Sequence, residues 1–453
     1  MGGMQATAQA MGDMPTSEPA RAPIACLYRT GGVSGEPWIG VSWKTGTIYE
    51  YGNGQTVNPD RAVRMSQDRG LTWQSVAVGT SGQGTHTTST DDAFYLDTVT
   101  DRLFVADLQG VKCSTLSFSD DQGITWTQTL AGCSLFDHQT IFGGKPVTST
   151  PQGYPNMVYY CAYEAGGTAR IGTNAACEKS TDGGLTWRPT GDPITTPALG
   201  PGNDGFPTCN GALGHGATDS QGTLYVPHAQ CGVPTLAISH DEGATWTNVR
   251  VSDTGIADYG SYIDHEAGVG VDGNGTVYYA WDGPDRLPLL AVSADGGATW
   301  SEPLAMAPAG LHQAIFPALA AFPDGRIAVA YYGSTNAPLP PFPDPTCNPI
   351  QCTGGEDDSD YADTTWNGYL TLVEPGKDAT RWTASVNPPD DPFFRGRCNA
   401  VDCGALGDFL DVRFGVDGSP WAAFVDACQQ ACVRGGGDND ASEGVVATLV
   451  LAT

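Results

Sequence analysis

Two short stretches carry nearly the same trio of polar side chains, Asp137-His138-Gln139 and Asp264-His265-Glu266. An imidazole with a carboxylate beside it can move protons near neutral pH, or it can ligate a divalent metal while the carboxylate orients the ring. Three more of the seven histidines, His86, His215 and His312, stand close to the start of runs that read as strands. Glu36 and Asp408 take the equivalent place in two further runs. Imidazoles and carboxylates converging on one axis make an acid/base pair or a metal site. His138, His265, Asp408 and Glu36 are therefore candidate catalytic residues, and His86, His138, His215, His265 and His312 candidate ligands of a transition metal. The same positions also suit residues that cap strand ends and bond across a solvated channel. Position alone leaves both readings open.

That placement depends on a repeat. The pattern S-x-D-x-G-x-T-W occurs five times, at 66–73, 119–126, 180–187, 239–246 and 293–300. Its Asp recurs about every 53 to 61 residues, the length of one small sheet. Each residue has a mechanical role. Alternating apolar residues such as Leu289-Leu290-Ala291-Val292 run up to the pattern as a strand. Ser and Asp cap backbone N–H groups of a tight turn, and Gly takes a positive φ that a Cβ opposes. Thr and Trp begin the returning strand, with the indole packed under the turn.

Laying the chain on this frame predicts an all-β protein, a single seven-bladed β-propeller of four-stranded antiparallel blades. Ala267–Val271, Thr276–Trp281 and Leu289–Ser293 are the first three strands of the clearest blade. Blade six has lost the pattern from its outer pair, Gly368–Val373 and Arg381–Val386. Blade seven lacks a fourth strand, which Ile24–Tyr28 can supply, closing the ring and removing a free sheet edge. Six blades is the alternative, because blades six and seven are degenerate. Residues 1–23 are small, polar and patternless, and read as a flexible leader to a propeller over 24–453.

The five boxes resemble the Asp-box (BNR) repeats of sialidases and related β-propellers. The resemblance implies that the boxes lie on the face opposite the active site. It also implies a six-bladed ring in true sialidases, three arginines holding a substrate carboxylate, a Tyr–Glu nucleophile pair and an acid/base Asp. Leu27-Tyr28-Arg29-Thr30-Gly31 has the Y-R of the family's F/Y-R-I-P motif without its I-P. Arg29, Arg286, Arg395, Arg397 and Arg434 lie where they can face the mouth and bind substrate, but no trio is singled out. Tyr331, Tyr361 and Asp363 are present without a context that marks them.

Composition narrows the setting. A net charge of −29 and a pI near 4.2 argue against nucleic-acid partners, since nothing would neutralise phosphates. Thirteen Cys point to an oxidising compartment and a secreted protein. Their spacing suggests the pairs Cys113–Cys133, Cys161–Cys177, Cys209–Cys231, Cys347–Cys352, Cys398–Cys403 and Cys428–Cys432, with other pairings open among the last four and Cys26 left over. No C-x-x-C pair supports a zinc site, and no apolar run is long enough to span a membrane. Two acidic stretches, Glu356-Asp357-Asp358-Ser359-Asp360 and Asp438-Asn439-Asp440, suit Ca²⁺ by their closely spaced oxygens. Phe393, Phe394 and Trp366 are candidate aromatic platforms for a glycan.

Two functions follow. One is a secreted enzyme acting on glycans at the channel mouth, a glycoside hydrolase or a polysaccharide lyase, assisted by a divalent metal or not. The other is a non-catalytic propeller that presents the same face to a glycan or an extracellular protein. The sequence carries no sign of the oligomeric state.

Overall fold

The computed structural model describes residues 23–52, 62–79, 92–108, 113–133, 138–163, 175–194, 210–230, 232–257, 267–337, 363–374, 380–396, 398, 406–435, 439 and 441–450. In all five boxes the same four bonds recur. The Ser hydroxyl donates to the Asp carboxylate at 2.8–2.9 Å and accepts the Gly N–H at 2.8–2.9 Å. The Thr backbone N–H donates to one Asp oxygen at 2.8 Å. The Thr hydroxyl donates to the other at 2.6–2.7 Å. Four box indoles donate to the carbonyl of the Gly three residues back, and Trp246 donates instead to Gly191. Gly297 has φ +93°, and the residue before the Gly is left-handed too, as at Arg69, Gln122 and Glu242.

The box also joins neighbouring sheets. A Cβ on Gly297 would lie 2.6 Å from Ile238 of the preceding blade, and one on Gly123 would lie 2.8 Å from Val76. The glycine thus serves twice, for its backbone conformation and for close packing.

Seven antiparallel sheets result. Blade one is Trp38–Val41, Ile48–Tyr51, Ala62–Ser66 and Gln74–Ala77. Blade two is Asp92–Leu96, Leu103–Asp107, Ser114–Ser119 and Thr127–Ala131. Blade three is Thr140–Gly144, Met157–Tyr163, Ala175–Ser180 and Arg188–Pro189. Blade four splits its first strand into Asn210–Leu213 and Ala217–Thr218, followed by Leu224–Gln230, Val233–Ser239 and Thr247–Arg250. Blade five is Gly268–Val271, Val277–Asp282, Pro288–Ser293 and Leu304–Ala305. Blade six is Gln313–Ala321, Ile327–Ser334, Thr365–Glu374 and Thr380–Ser385, with Phe394–Arg395 paired onto its third strand. Blade seven is Asp411–Phe414, Pro420–Asp426, Glu443–Val450 and, as its outer strand, Ile24–Val33. The closing strand pairs from Ile24↔Val450 to Val33↔Glu443, so the chain's first strand seals its last blade. The chain is a seven-bladed β-propeller.

The seven first strands contact one another in a closed ring. The cores lie between adjacent sheets and are rich in aromatics, among them Trp38, Tyr159, Tyr160, Trp281 and Tyr332, each essentially fully buried. Burying a large apolar side chain contributes about 1.5–3 kcal/mol before conformational entropy is subtracted. Trp366, Phe393 and Phe394 belong to this core, at 1–2 % exposure, so the expected aromatic platforms for a glycan are not surface residues. They pack into the apolar core shared by blades six and seven.

Cys113–Cys133, Cys161–Cys177 and Cys428–Cys432 are bonded as the spacing suggests. Cys398 is also in a disulfide, with its partner outside the described residues, and Cys26 is a free thiol. The expected pairs involving Cys209, Cys231, Cys347, Cys352 and Cys403 lie outside the described residues, as does the leader up to residue 22. Among the described residues no helix is long and apolar enough to cross a membrane.

Candidate functional site

Strand direction defines the two faces. The box turns and the turns between first and second strands share one face, here the lower. The chain reaches each first strand, and crosses from second to third strand, on the upper face, around the channel mouth. The three candidate catalytic residues that are described all lie there.

His138 stands two residues before blade three's first strand and Asp408 three residues before that of blade seven. His138 Nε2 lies 3.6 Å from Asp408 Oδ2, within ion-pair range and beyond a good hydrogen bond. Blades three and seven are not neighbours in the ring, so this approach crosses the mouth. The imidazole also meets Tyr163 edge-on, with ring centroids 5.3 Å apart. Glu36, just before blade one's first strand, sits against the same segment. Its backbone N–H reaches Leu406 at 3.4 Å, and a Cβ on Gly407 would lie 2.3 Å from its Cγ. Both His138 (φ +47°) and Glu36 (φ +51°) hold left-handed backbone that costs a non-glycine residue about 1 kcal/mol or more.

A second tier lies deeper. His215 Nδ1 is 3.5 Å from Asp411 Oδ1. The sequence places His215 just before its strand, but it falls between the two pieces of blade four's first strand and so projects farther down the channel. Its ring stacks on Trp38, with centroids 3.9 Å apart, and meets Phe409 edge-on at 5.1 Å. Asp411 is buried and well bonded, receiving Arg413 Nη1 at 2.8 Å and the backbone N–H groups of Ile39 and Val412. The segment Asp408 to Asp411 therefore carries both carboxylates, three residues apart, to two different opposing blades. Beside it His215, Phe316, Pro317, Phe409 and Leu410 line a small, partly open pocket.

The other expected residues are scattered. His312 is exposed at the start of blade six's first strand. Arg29 is clasped by Asp426 at 2.7 Å and Glu443 at 2.5 Å. Arg395 donates to the Val433 carbonyl, while its backbone exchanges two bonds with Asn439. Arg286 has a left-handed backbone (φ +59°) in the second-to-third strand turn of blade five, and Arg434 is exposed after the short helix Gln430–Val433. Tyr331 is buried and stacked on Tyr369. His86, His265, Arg397, Tyr361 and the Glu356–Asp360 stretch lie outside the described residues. Of Asp438-Asn439-Asp440, Asn439 alone is described. Among the described residues no three His, Cys, Asp or Glu are grouped to hold a metal.

Sequence reasoning missed Asp411, Trp38 and Phe409 as parts of the lower tier. Their signal was weak: Trp38 and Asp411 open their strands and Phe409 stands two residues before one, places that nothing in the sequence marks. It also missed Glu50, a fully buried carboxyl that burial pushes up to about 7, against the Ser34 bond and the Arg64 charge. Burial likewise pushes Asp426 up to about 6, although Arg29 pulls it down.

No family model matches this chain, and no curated protein matches it. Among solved structures it is similar to a protein of unknown function from Dyadobacter fermentans, at 13 % identity and TM-score 0.44, over 95 % of this chain and 98 % of that one. It is similar to the NanB sialidase of Streptococcus pneumoniae, at 12 % identity and TM-score 0.43, over 98 % of this chain and 72 % of that one. It is also similar to a variant of the Aleuria aurantia lectin in complex with Fucα1-6GlcNAc, at 10 % identity and TM-score 0.43, over 81 % of this chain and 97 % of that one.

Proposed function

We propose that the protein is an extracellular propeller that acts on a glycan at its upper mouth, with His138 as the group that moves the proton. The carrying observation is the approach of Asp408 to His138 across the ring. A carboxylate at that distance stabilises the positive charge that forms when His138 takes a proton. Glu36, packed on Gly407, supplies a second carboxylate beside the pair. The reaction class this suits is glycosidic cleavage, by hydrolysis or by elimination, each of which needs one proton taken and one given. The disulfides agree with an oxidising compartment. The described donors bring two ligands at most to one point, so no step is routed through a metal.

A second reading is favoured by one specific observation. The His138 side chain is only 5 % exposed. That suits a residue shaping a non-catalytic binding mouth. A panel of neutral, anionic and cationic polysaccharides separates the two. The enzyme reading expects new reducing ends or unsaturated products, lowered about 100-fold or more in His138→Ala and Asp408→Asn at unchanged melting temperature. Glycan retention without cleavage, in wild type and variants alike, moves the assignment to the binding mouth. Neither cleavage nor retention across the panel removes the glycan reading.

A further inference from the structure

The lower face, opposite the mouth, carries a pattern the proposed function does not use. Of the strongly exposed large aliphatic residues, six sit at the tips of lower-face turns in four consecutive blades. They are Val416 of blade seven, Leu71 of blade one, Val99 and Ile124 of blade two, and Val147 and Leu185 of blade three. Leu71 and Ile124 are 74 % and 77 % exposed. At the box position of Leu71, Ile124 and Leu185, blades four and five carry Ala244 and Ala298. Their other lower turns read Asp219-Ser220-Gln221-Gly222 and Asp272-Gly273-Asn274-Gly275. The apolar tips thus occupy one arc of the ring.

Direct contacts make that arc continuous. Arg69, in Leu71's turn, pairs with Asp417, beside Val416, at 3.0 Å. Gln67 in the same turn bonds Gln122 in Ile124's turn at 3.1 Å. Arg102, at the end of Val99's turn, donates to Gly183 in Leu185's turn at 2.7 Å. Thr100 and Tyr154 join Val99's turn to Val147's loop at 2.8 Å. Single exposed aliphatics are ordinary, whereas a joined set on fixed turns marks an interaction surface.

Charge selects the occupant. Arg69 and Arg102 are already paired with Asp417 and Asp120, and the other cations of these turns, the exposed Lys44 and Lys145, are outnumbered by Asp68, Asp101, Asp121 and Asp182. Asp68, Asp121 and Asp182, each three residues before an apolar tip, bond hydroxyl and amide groups of their own turns. Hydrogen bonds from Thr72 and Thr125 hold the carboxyls of Asp68 and Asp121 below the usual range, so these anions persist. The surface therefore offers aliphatic side chains alternating with fixed negative charge on a chain of net charge −29. That charge opposes a second copy.

We infer that the lower arc from blade seven to blade three docks a basic amphipathic partner, a protein segment whose apolar stripe is flanked by Lys or Arg. The mouth stays open to its ligand while the opposite face is held.

The test uses the full chain and three labelled synthetic peptides: a Lys/Leu helix with its leucines on one face, the same composition scrambled, and a Glu/Leu helix with the same stripe. The variant combines Leu71→Ser, Ile124→Ser and Leu185→Ser, which leaves the charge unchanged. The striped basic peptide is expected to bind wild type and to lose about tenfold or more in affinity for the variant at equal melting temperature, with binding weakened by salt. Ile124→Ser alone moves affinity in the same direction. Equal binding of the scrambled peptide, or of the striped peptide to the variant, overturns the inference, since charge alone then accounts for it. A wild-type dimer in sedimentation that the variant abolishes also overturns it, because the face is then covered by a second copy.

Discussion

The carboxyl of Glu50, in blade one's second strand, accepts a 2.7 Å hydrogen bond from the hydroxyl of Ser34, the residue that follows the closing strand. Blade seven's Gly444 packs against it so closely that a Cβ there would lie 2.7 Å from Glu50 Oε1. A single buried acid thus sits where the two ends of the ring meet.

Its titration gives a pH prediction. Burial raises the folded pKa from 4.5 to about 7, so the folded protein keeps this proton longer than the unfolded chain. The resulting stabilisation is full below pH 4.5 and is lost as pH rises through 7, a change of about 3 kcal/mol. Asp426, raised to about 6, adds a change of the same sign over a lower window. Melting temperature is expected to fall between pH 4.5 and 7.5, and Glu50→Gln to flatten that slope and melt higher at pH 8. A variant with the wild-type slope would show that another group titrates.

Removing the closing strand is expected to abolish cooperative unfolding. A chain starting at residue 35 leaves the edge of Glu443–Val450 unpaired, and Asp426, almost fully buried, loses Arg29. Calorimetry should show a broad or missing transition. A sharp transition within a few degrees of the full chain would mean that six blades and a partial seventh suffice.

Glu242 should matter more to stability than any single box Asp. It is fully buried and accepts the N–H groups of Val147, Thr148 and Ser149 at 2.8–2.9 Å, together with Lys179 Nζ at 2.8 Å. Burial alone would raise its pKa, but those donors overcome it and hold the carboxyl far below the usual range. Its contribution is therefore present above the unfolded pKa of 4.5 and declines as the solution is acidified. Glu242→Ala is expected to cost about 3–5 kcal/mol and Asp295→Ala, on an exposed turn, about 1 kcal/mol, by denaturant titration. Equal losses at the two sites would contradict this ranking.

His138 and Asp408 should behave as a unit. If the carboxylate acts through the imidazole, His138→Ala and Asp408→Asn together lower kcat no further than His138→Ala alone. His215→Ala, in the lower tier, is expected to leave the pH profile of kcat unchanged while lowering stability, since it removes the ring stacked on Trp38. Additive losses from the first pair would assign them separate roles.

The five boxes, a ring of seven blades in preference to six, and the closing strand were legible in the chain alone. Each box closes within eight residues through bonds between Ser, Asp, Gly and Thr, so the code is local and its chemistry repeats unchanged. The strands between boxes announce themselves by alternation, and a seventh blade short of one strand predicts the N-terminal partner found at Ile24–Val33. Three disulfides followed from close spacing for the same reason. Closure of the ring settled which polar residues meet. Arg29 finds its counter-ions near the other end of the chain, and Asp408 reaches His138 from a non-neighbouring blade. It also turned Trp366, Phe393 and Phe394 inward, into the apolar core shared by blades six and seven. Such contacts depend on how seven sheets close around an axis, and closure sets distances between residues that share no local pattern.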